Sequence, residues 1–246
     1  MRIDLNADLG EERGDDAAIF RCVSSASIAC GAHAGGARSI DASLAIAAER
    51  GVTVGAHVGY EDRENFGRNP MTVRRAVLTE SIVRQISRLQ DEAARYGIAV
   101  KYVKPHGALY FRVATDKSQA RSLVDAVRSC DPALELVVPH SQLLTDIASP
   151  LACRHEFFAD RSYHFDGGLV PRSDPRAYVD DVPEIVARTR EWLRTGQVQS
   201  VEGQGIGIEA DSICLHGDSP LAVKAARGVR AALRADGYRV VNWMVP

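Results

Sequence analysis

Residues 100–109 read VKYVKPHGAL, an apolar run that ends abruptly on a lysine, a proline and a histidine. Val100, Tyr102 and Val103 are typical of a buried strand, because β-branched and aromatic residues favour strands. Lys104 and His106 follow at its end, where they mark either a polar turn into solvent or one wall of an active site. The choice between these interpretations depends on whether the rest of the chain repeats the pattern.

The same pattern occurs about seven times along the chain. Each copy is a short apolar run that closes on a small or turn-forming residue and a histidine or aspartate. The copies are RIDLNAD (2–8), SIACGAH (27–33), VTVGAH (52–57), VKYVKPH (100–106), LELVVPH (134–140), EFFAD (156–160) and SICLHGD (212–218). They predict strands with polar groups at their carboxyl ends.

Amphipathic helical patterns separate most of these runs. Helices are predicted at 39–50, 117–129, 182–194 and 220–236, and a longer one has a candidate N-cap at Thr72 and ends before Gly97. Strands that alternate with helices indicate parallel pairing through right-handed crossovers.

A barrel explains the polar strand ends better than an open sheet does. A barrel brings the carboxyl ends of all its strands to one mouth, whereas an open sheet concentrates ligand residues at a switch point. Nearly every strand here contributes, and no Pro- or Gly-rich linker interrupts the alternation. We therefore predict an α/β protein with one domain, residues 1–246, folded as a seven-stranded parallel (β/α) barrel.

Composition and charge exclude several classes of function. Hydrophobic residues make up 46% and charged residues 25%, as in an ordinary globular protein. With 30 Lys and Arg against 32 Asp and Glu and no sustained basic stripe, nucleic acid is not an expected partner. The sequence contains no long apolar run and no signal-peptide pattern, so we expect no membrane partner and a cytoplasmic location.

Residues suited to acid–base catalysis are concentrated at the predicted strand ends. Five of the seven histidines stand there: His33, His57, His106, His140 and His216. Imidazole titrates near neutral pH, and Asp8, Asp160 and Asp218 would orient such rings or accept protons. Asp8 either caps a turn or places a carboxylate on the floor of a pocket. Histidine with aspartate also suits a divalent metal, but no H-E-x-x-H spacing is present, so the metal question stays open.

Arginines on two loops are candidates for binding an anion. Arg68 lies in GYEDRENFGRNP (59–70), and Arg161 and Arg172 lie in FADRSYHFDGGLVPR (158–172), which is long enough to cover a barrel mouth. A guanidinium offers a planar fork to a carboxylate or phosphate. Arg161 or Arg172 could instead pair with Asp160 or Asp166, and the loop that carries Arg68 could simply be solvated. GQGIGIE (203–209) lacks the lysine of a P-loop, so nucleotide chemistry would not use one in this chain.

Six motifs together resemble the LamB/YcsF lactam-utilisation family. They are IDLNADLGE (3–11), SSASIACGAHAG (24–35), GAH with DRENFGR (55–68), VKPHGALY (103–110), FADRSYHFDGGLVPR (158–172) and CLHGD (214–218). The resemblance spans the whole chain and implies a seven-stranded barrel of the glycoside hydrolase/deacetylase type. It also implies ATP-dependent opening of 5-oxoproline (pyroglutamate) to L-glutamate, by a 5-oxoprolinase in which this chain is the A component and its partners are the B and C components.

That reaction suggests roles for the strand-end residues. Asp8, with His106 or His57, would act as general base on water, and Lys104 would stabilise negative charge on the amide or phosphoryl oxygen. Arg161 or Arg172 would hold the substrate carboxylate. We predict Asp8, Lys104 and His106 as catalytic residues, and as substrate-binding residues Asn6, His33, His57, Arg68, Asp160, Arg161, Arg172, His216 and Asp218. The complex would consume ATP, and a divalent metal is a further candidate cofactor without assigned ligands.

The chain departs from the family pattern at several positions, and two alternative functions stay open. The chain reads GAHAGG at 31–36 where the family usually reads GFHAGD, and Val58 stands where proline is usual. Position 36 therefore offers no carboxylate, and the preferred lactam could differ. One alternative function is a stand-alone metal-dependent deacetylase or amidase. The other is a non-catalytic ligand-binding component of a lactam-utilising complex.

Overall fold

Parallel strands form a nearly closed barrel in the computed structural model, which describes residues 1–244. The strands are β1 (Arg2–Leu9), β2 (Ser25–Ala29), β3 (Thr53–Val58), β4 (Val100–Pro105), β5 (Glu135–Val137), β6 (Cys153–Arg154), β7 (Glu156–Phe158), β8 (Gln197–Gln199), β9 (Gly205–Gly207), β10 (Ser212–His216) and β11 (Arg239–Val240). The main path runs β6-β5-β4-β3-β2-β1-β10-β7, with every pair parallel. β11 pairs in parallel with the first residues of β1, and β8 and β9 form a separate hairpin.

The predicted α/β barrel is confirmed, with eight strands on the main path instead of seven. The additional strand is β6, a two-residue segment that pairs with β5. A segment of one cysteine and one arginine carries no apolar run, so the sequence pattern could not reveal it.

Eight helices connect the strands within residues 1–244. They are α1 (Asp16–Phe20), α2 (Ala37–Arg50), α3 (Arg75–Ala94), α4 (Gly107–Thr115), α5 (Lys117–Cys130), α6 (Gln142–Ala148), α7 (Val182–Thr195) and α8 (Ala222–Ala235). None of them is long and apolar enough to cross a lipid bilayer. The predicted N-cap at Thr72 is wrong, because Arg74 still has an extended backbone (φ −59°, ψ 137°) and the helix begins at Arg75.

The helices cover the outside of the barrel with apolar faces. In α3, Leu78, Ile82, Ile86 and Leu89 recur at helical spacing and are buried in the core. Burying one such side chain contributes about 1.5–3 kcal/mol. This layer fixes the strands, and therefore the positions of the side chains at their carboxyl ends.

The inside of the barrel is polar. Along β1, Asp4, Asn6 and Asp8 alternate with the core residues Leu5, Ala7 and Leu9, as the two-residue period of a strand requires. Asp4 accepts hydrogen bonds from the hydroxyls of Ser25 and Ser212, and Asn6 donates to Ser212 Oγ at 2.6 Å. A ladder of hydrogen bonds between polar side chains therefore replaces the usual apolar layers. Asp8 is the next inward-facing residue of β1 beyond this ladder.

Candidate functional site

A cavity that opens to solvent lies where the carboxyl ends of the strands meet. Its lining includes Asp8, His57, Lys104, His106 and His216 from strand ends, and Arg68, Arg161 and Arg172 from two loops. The predicted convergence of polar strand ends at one mouth is thus observed for four strands, β1, β3, β4 and β10.

Lys104 lies between two carboxylates beside this cavity. Its Nζ is 2.8 Å from Asp8 Oδ1 and 2.9 Å from Glu156 Oε2, and the lysine is only 2% exposed. Burial alone would lower the pKa of Lys104, but the two carboxylates hold it well above its usual value. Lys104 is therefore a fixed cation at neutral pH.

The pKa values of the two carboxylates move in opposite directions. Burial would raise the pKa of Asp8, but His57 and Lys104 lower it well below its usual range. For Glu156, burial dominates the opposing charge of Lys104, and the pKa of this carboxyl is raised. Asp8 is consequently the anionic partner of Lys104, while Glu156 is the carboxyl that more readily holds a proton.

Glu156 links the cavity to the polar interior. Its Oε2 accepts a hydrogen bond from Asn6 Nδ2 at 3.3 Å, and its Oε1 has no hydrogen-bond partner among residues 1–244. Sequence reasoning missed this residue, because it stands at the start of EFFAD and the pattern directed attention to the end. The available signal was a charged residue that opens an otherwise apolar strand.

A second group, which includes His57 and His106 from the cavity lining, joins three imidazoles to one carboxylate. Glu11 Oε1 lies 3.2 Å from His106 Nδ1, 3.3 Å from His33 Nε2 and 3.6 Å from His57 Nε2. All four side chains are buried, and one ligand atom from each lies within 4.8 Å of the others. We call these four residues the Glu/His cluster, and it could bind a divalent metal.

Packing fixes the orientation of these rings. His57 Nδ1 is 3.1 Å from the carbonyl oxygen of Lys104, and His106 Nε2 is 2.9 Å from that of Phe66. His33 stacks on His106 with ring centroids 3.8 Å apart and planes 2° apart. Burial lowers the pKa of His33 to about 4 and that of His57 to about 3, so both are neutral at pH 7.

The three arginines of the cavity lining differ in the groups to which they bind. Arg68 and Arg172 both approach one carboxylate, Asp218, at 2.5 Å and 3.5 Å, so this group carries an excess positive charge. Arg161 instead donates to the backbone oxygens of Ala177 at 3.0 Å and Val170 at 2.6 Å. Its guanidinium thereby fixes the loop 158–172 while one side faces the cavity.

Eight of the twelve predicted site residues line the cavity. The other four contact lining residues or lie one residue away from them. Asn6 donates a hydrogen bond to Glu156, the partner of Lys104, and His33 stacks on His106. Asp160 accepts a hydrogen bond from His216 Nδ1 at 3.0 Å, and Asp218 forms an ion pair with Arg68. A place in or beside the cavity does not by itself establish a role, so the catalytic and substrate-binding roles of these residues stay predictions.

His140 does not belong with the other strand-end histidines. Its ring stacks on His155 at 3.6 Å between centroids, and its Nε2 donates to the Glu209 carbonyl at 2.8 Å. β5 ends at Val137, three residues earlier, so His140 projects beyond the barrel mouth into a separate cavity.

Position 36, where the chain lacks the family's aspartate, is the N-cap of α2. Gly36 has an extended backbone (φ −139°, ψ −179°), and its N–H donates to Ser39 Oγ at 2.7 Å. Glycine is also tolerated at an N-cap, so α2 begins here without a side-chain cap.

Comparisons with known proteins agree over nearly the whole chain. A model of the LamB/YcsF family matches residues 3–245. A protein of Paracidovorax citrulli (strain AAC00-1), named as the A component of 5-oxoprolinase, is 47% identical and covers 96% of this chain and 97% of its own length. The crystal structure of a lactam utilization protein from Thermus thermophilus gives a TM-score of 0.92 at 36% identity, covering 99% and 100% of the two chains.

A more distant likeness concerns the fold alone. The catalytic domain of a peptidoglycan N-acetylglucosamine deacetylase from Eubacterium rectale ATCC 33656 gives a TM-score of 0.53 at 12% identity, over 99% of this chain and 88% of that one. The predicted deacetylase-type barrel agrees with this likeness.

Proposed function

This chain belongs to the LamB/YcsF family, and from that membership we propose that it is the A component of a 5-oxoprolinase. In the proposed reaction ATP drives the ring opening of 5-oxoproline (pyroglutamate) to L-glutamate, and two partners, the B and C components, complete the enzyme. The observation that carries the proposal is the 47% identity over nearly the full length to a relative named as the A component of 5-oxoprolinase.

The cavity suits a small lactam. Its lining places arginines, histidines and one lysine around a small space. 5-Oxoproline carries one carboxylate and one cyclic amide. Arg68 and Arg172 share a single counter-ion, Asp218, so they can accept a further anion, and we assign the substrate carboxylate to them. Arg161 is the weaker candidate, because its guanidinium already donates to two backbone oxygens.

The activated carbon would then face the Asp8–Lys104 pair. A lactam is a poor electrophile, so ATP would phosphorylate its oxygen and release ADP. Water adds to that carbon, the ring C–N bond breaks with the nitrogen taking a proton, and a second water releases phosphate from the resulting acyl phosphate. Lys104, a fixed cation, would stabilise the negative oxygen. Asp8, together with His57 at 3.5 Å or with His106, which contacts His57, would accept the proton from water.

The phosphoryl donor would bind to a partner protein. The Gly-rich residues 203–209 lie at the β8–β9 hairpin, with Gly205–Gly207 paired antiparallel to Gln197–Gln199, and this is not the strand–loop–helix setting of a P-loop. ATP consumption is therefore proposed as a property of the complex.

The Glu/His cluster favours one further candidate, a metal-dependent amidase or deacetylase that acts without partners. The two functions differ in their need for ATP. The proposed function predicts glutamate and ADP in equal amounts only when the B and C components are present. Glutamate release, or hydrolysis of acetylated sugars, by the isolated chain without ATP would support the alternative.

Variants of the complete complex test the assigned roles. We expect Asp8→Asn and Lys104→Met to reduce glutamate release by at least about 100-fold, as loss of a charged group acting on the transition state does. The control is His140→Asn, an exposed histidine outside the cavity. Near-normal turnover of both active-site variants would instead identify the chain as a non-catalytic, ligand-binding component.

A further inference from the structure

We propose that Arg161 and Arg172 form a second anion site in the cavity, which binds the phosphoryl group of the activated lactam and the phosphate released from it. This inference deepens the proposed function and rests on it for the identity of the natural ligand. It gives a ligand to Arg161, the arginine that is the weaker candidate for the substrate carboxylate.

Arg161 is a buried cation without a counter-ion. It is only 3% exposed, yet it forms no ion pair with any carboxylate of residues 1–244. Its neighbour Asp160 directs both carboxylate oxygens to the backbone N–H and the ring of His216. Burial and the charge of Arg172 both lower the pKa of Arg161. Because a buried charge without a partner is destabilising, this guanidinium is suited to accept an anion from outside the chain.

The guanidinium of Arg161 is held in place but not fully used. Its Nε donates to the carbonyl oxygen of Ala177 at 3.0 Å, and its Nη2 donates to that of Val170 at 2.6 Å. No hydrogen bond within the described chain uses Nη1, and Arg161 lines the cavity. Two bonds to the backbone therefore fix the group, while its third nitrogen remains available. A donor fixed in this way is what a preorganised binding site requires.

Arg172 connects Arg161 to Arg68. The guanidinium carbons of Arg161 and Arg172 lie 5.1 Å and 5.4 Å from the centroid of the same ring, that of Tyr178. Arg172 Nη1 donates to the Tyr178 hydroxyl at 2.6 Å and is 3.5 Å from Asp218 Oδ2, which also pairs with Arg68. The three arginines thus form a row with Arg172 in the middle and a single carboxylate at the Arg68 end.

The charge of this row exceeds what the lactam can neutralise. Three guanidinium groups share one carboxylate, Asp218, and 5-oxoproline brings only one more. With that carboxylate bound at the Arg68 end, the Arg161 end stays positive. A phosphoryl group carries about −1.5 to −2 charges at neutral pH, and guanidinium groups bind its oxygens with charge-assisted hydrogen bonds. A phosphoryl group therefore matches the remaining charge.

The anion site shares its cavity with the groups assigned to the reacting carbon. Lys104 and Gly107, the first residue of α4, line the same cavity as Arg161. The N-terminus of a helix carries a partial positive charge, so α4 adds to the positive potential. A phosphorylated lactam needs its carbon at the Asp8–Lys104 pair and its phosphoryl group nearby, and one cavity offers both.

Phosphate titration of the isolated full-length chain tests the proposal. The chain, in phosphate-free buffer at pH 7, is titrated with inorganic phosphate by calorimetry. We expect binding that Arg161→Met and Arg172→Met each weaken by about 10–100-fold, as loss of a hydrogen bond between charged groups does. Arg68→Met should have a smaller effect, because Arg68 lies at the other end of the row. The control is Arg176→Met, an exposed arginine outside the cavity that pairs with Asp174, and it should bind phosphate like the wild type.

Three outcomes would overturn the proposal. One is the absence of phosphate binding by the wild-type chain, which decides the matter even if a variant does not fold. The second is unchanged affinity in both Arg161→Met and Arg172→Met when circular dichroism shows them to be folded. The third is a non-hydrolysable ATP analogue that competes with phosphate and binds at least about 10-fold more tightly, a gain of about 1.4 kcal/mol, because the site would then recognise a nucleotide.

The two proposals fail separately. The readout is phosphate binding by the isolated chain, so a negative result leaves glutamate release by the complex untouched. A complex that releases no glutamate would remove the proposed function, and the titration would still decide whether the anion site exists.

Discussion

Replacing Lys104 by methionine should destabilise the barrel strongly. Methionine keeps most of the aliphatic length of the side chain but removes the charge that faces Asp8 at 2.8 Å and Glu156 at 2.9 Å. All three side chains are almost completely buried. Removing one partner of a buried ion pair costs about 3–5 kcal/mol, because the remaining charge is left uncompensated. The raised pKa of Glu156 lets that carboxyl take up a proton, so we expect a loss near the lower limit, about 3 kcal/mol.

Urea unfolding at pH 7 measures this loss. The matched control is Lys101→Met on the same strand, where the lysine is exposed and should contribute less than about 0.5 kcal/mol. Adding Glu156→Gln to Lys104→Met removes the second carboxylate and should recover about 1–2 kcal/mol, within the usual range of coupling between contacting residues. A Lys104→Met variant within 1 kcal/mol of wild type, or no recovery in the double variant, would refute this account of the pair.

Three further predictions concern pH, packing and substrate binding. Burial raises the pKa of Asp4 from 3.8 to about 6, so the folded state holds this proton longer than the unfolded state does. The contribution of Asp4 to the free energy of unfolding should fall by up to about 3 kcal/mol as pH rises between about 4 and 6, and the difference in urea midpoint between wild type and Asp4→Asn should follow this fall across that range. Gly59→Ala should lower the free energy of unfolding by about 1–3 kcal/mol in the same assay, because the added Cβ would lie 2.7 Å from His33 Nδ1. The control Gly207→Ala should not show this loss, because the described chain leaves the space around that Cβ open. Arg68→Met should raise the KM for 5-oxoproline in the complex by about 10–100-fold, the value of one charge-assisted hydrogen bond, and leave turnover of 2-pyrrolidinone, which has no carboxylate, unchanged.

The sequence predicts the fold well because the relevant signals are local. Apolar runs alternate with amphipathic segments, and four of the helices begin and end within about two residues of their predicted limits. The signal fails where an element is very short. β6 has only two residues. The signal also fails at α4, which begins directly after His106, because no loop residues mark the start of that helix in the sequence.

The site is predictable only in part, because burial is not visible in a strand-end pattern. The pattern finds Asp8, Lys104 and His57 because each closes an apolar run. It overlooks Glu156, whose importance depends on Lys104 pointing back toward it across the barrel. Glu11 lies in a motif that sequence reasoning noted, yet its role as the common neighbour of three histidines needs the loop after β1 to fold inward.

One available signal was the two-residue period of β1. Asp4, Asn6 and Asp8 all fall on one face of the strand, opposite the core residues Leu5 and Ala7. Three polar residues on the inner face of a strand predict a polar barrel interior, and with it partners such as Ser212 and Glu156 on neighbouring strands.

The hydrogen-bond ladder inside the barrel also affects how this scaffold can be diversified. Each interior side chain shares partners with the next, from Asp4 through Ser212 and Asn6 to Glu156, so a single replacement leaves another group unsatisfied. Directed evolution toward other lactams should therefore randomise the loops 59–70 and 158–172, which carry the arginines, and keep the strand interiors constant. Libraries built on the strands would consist mainly of unfolded members.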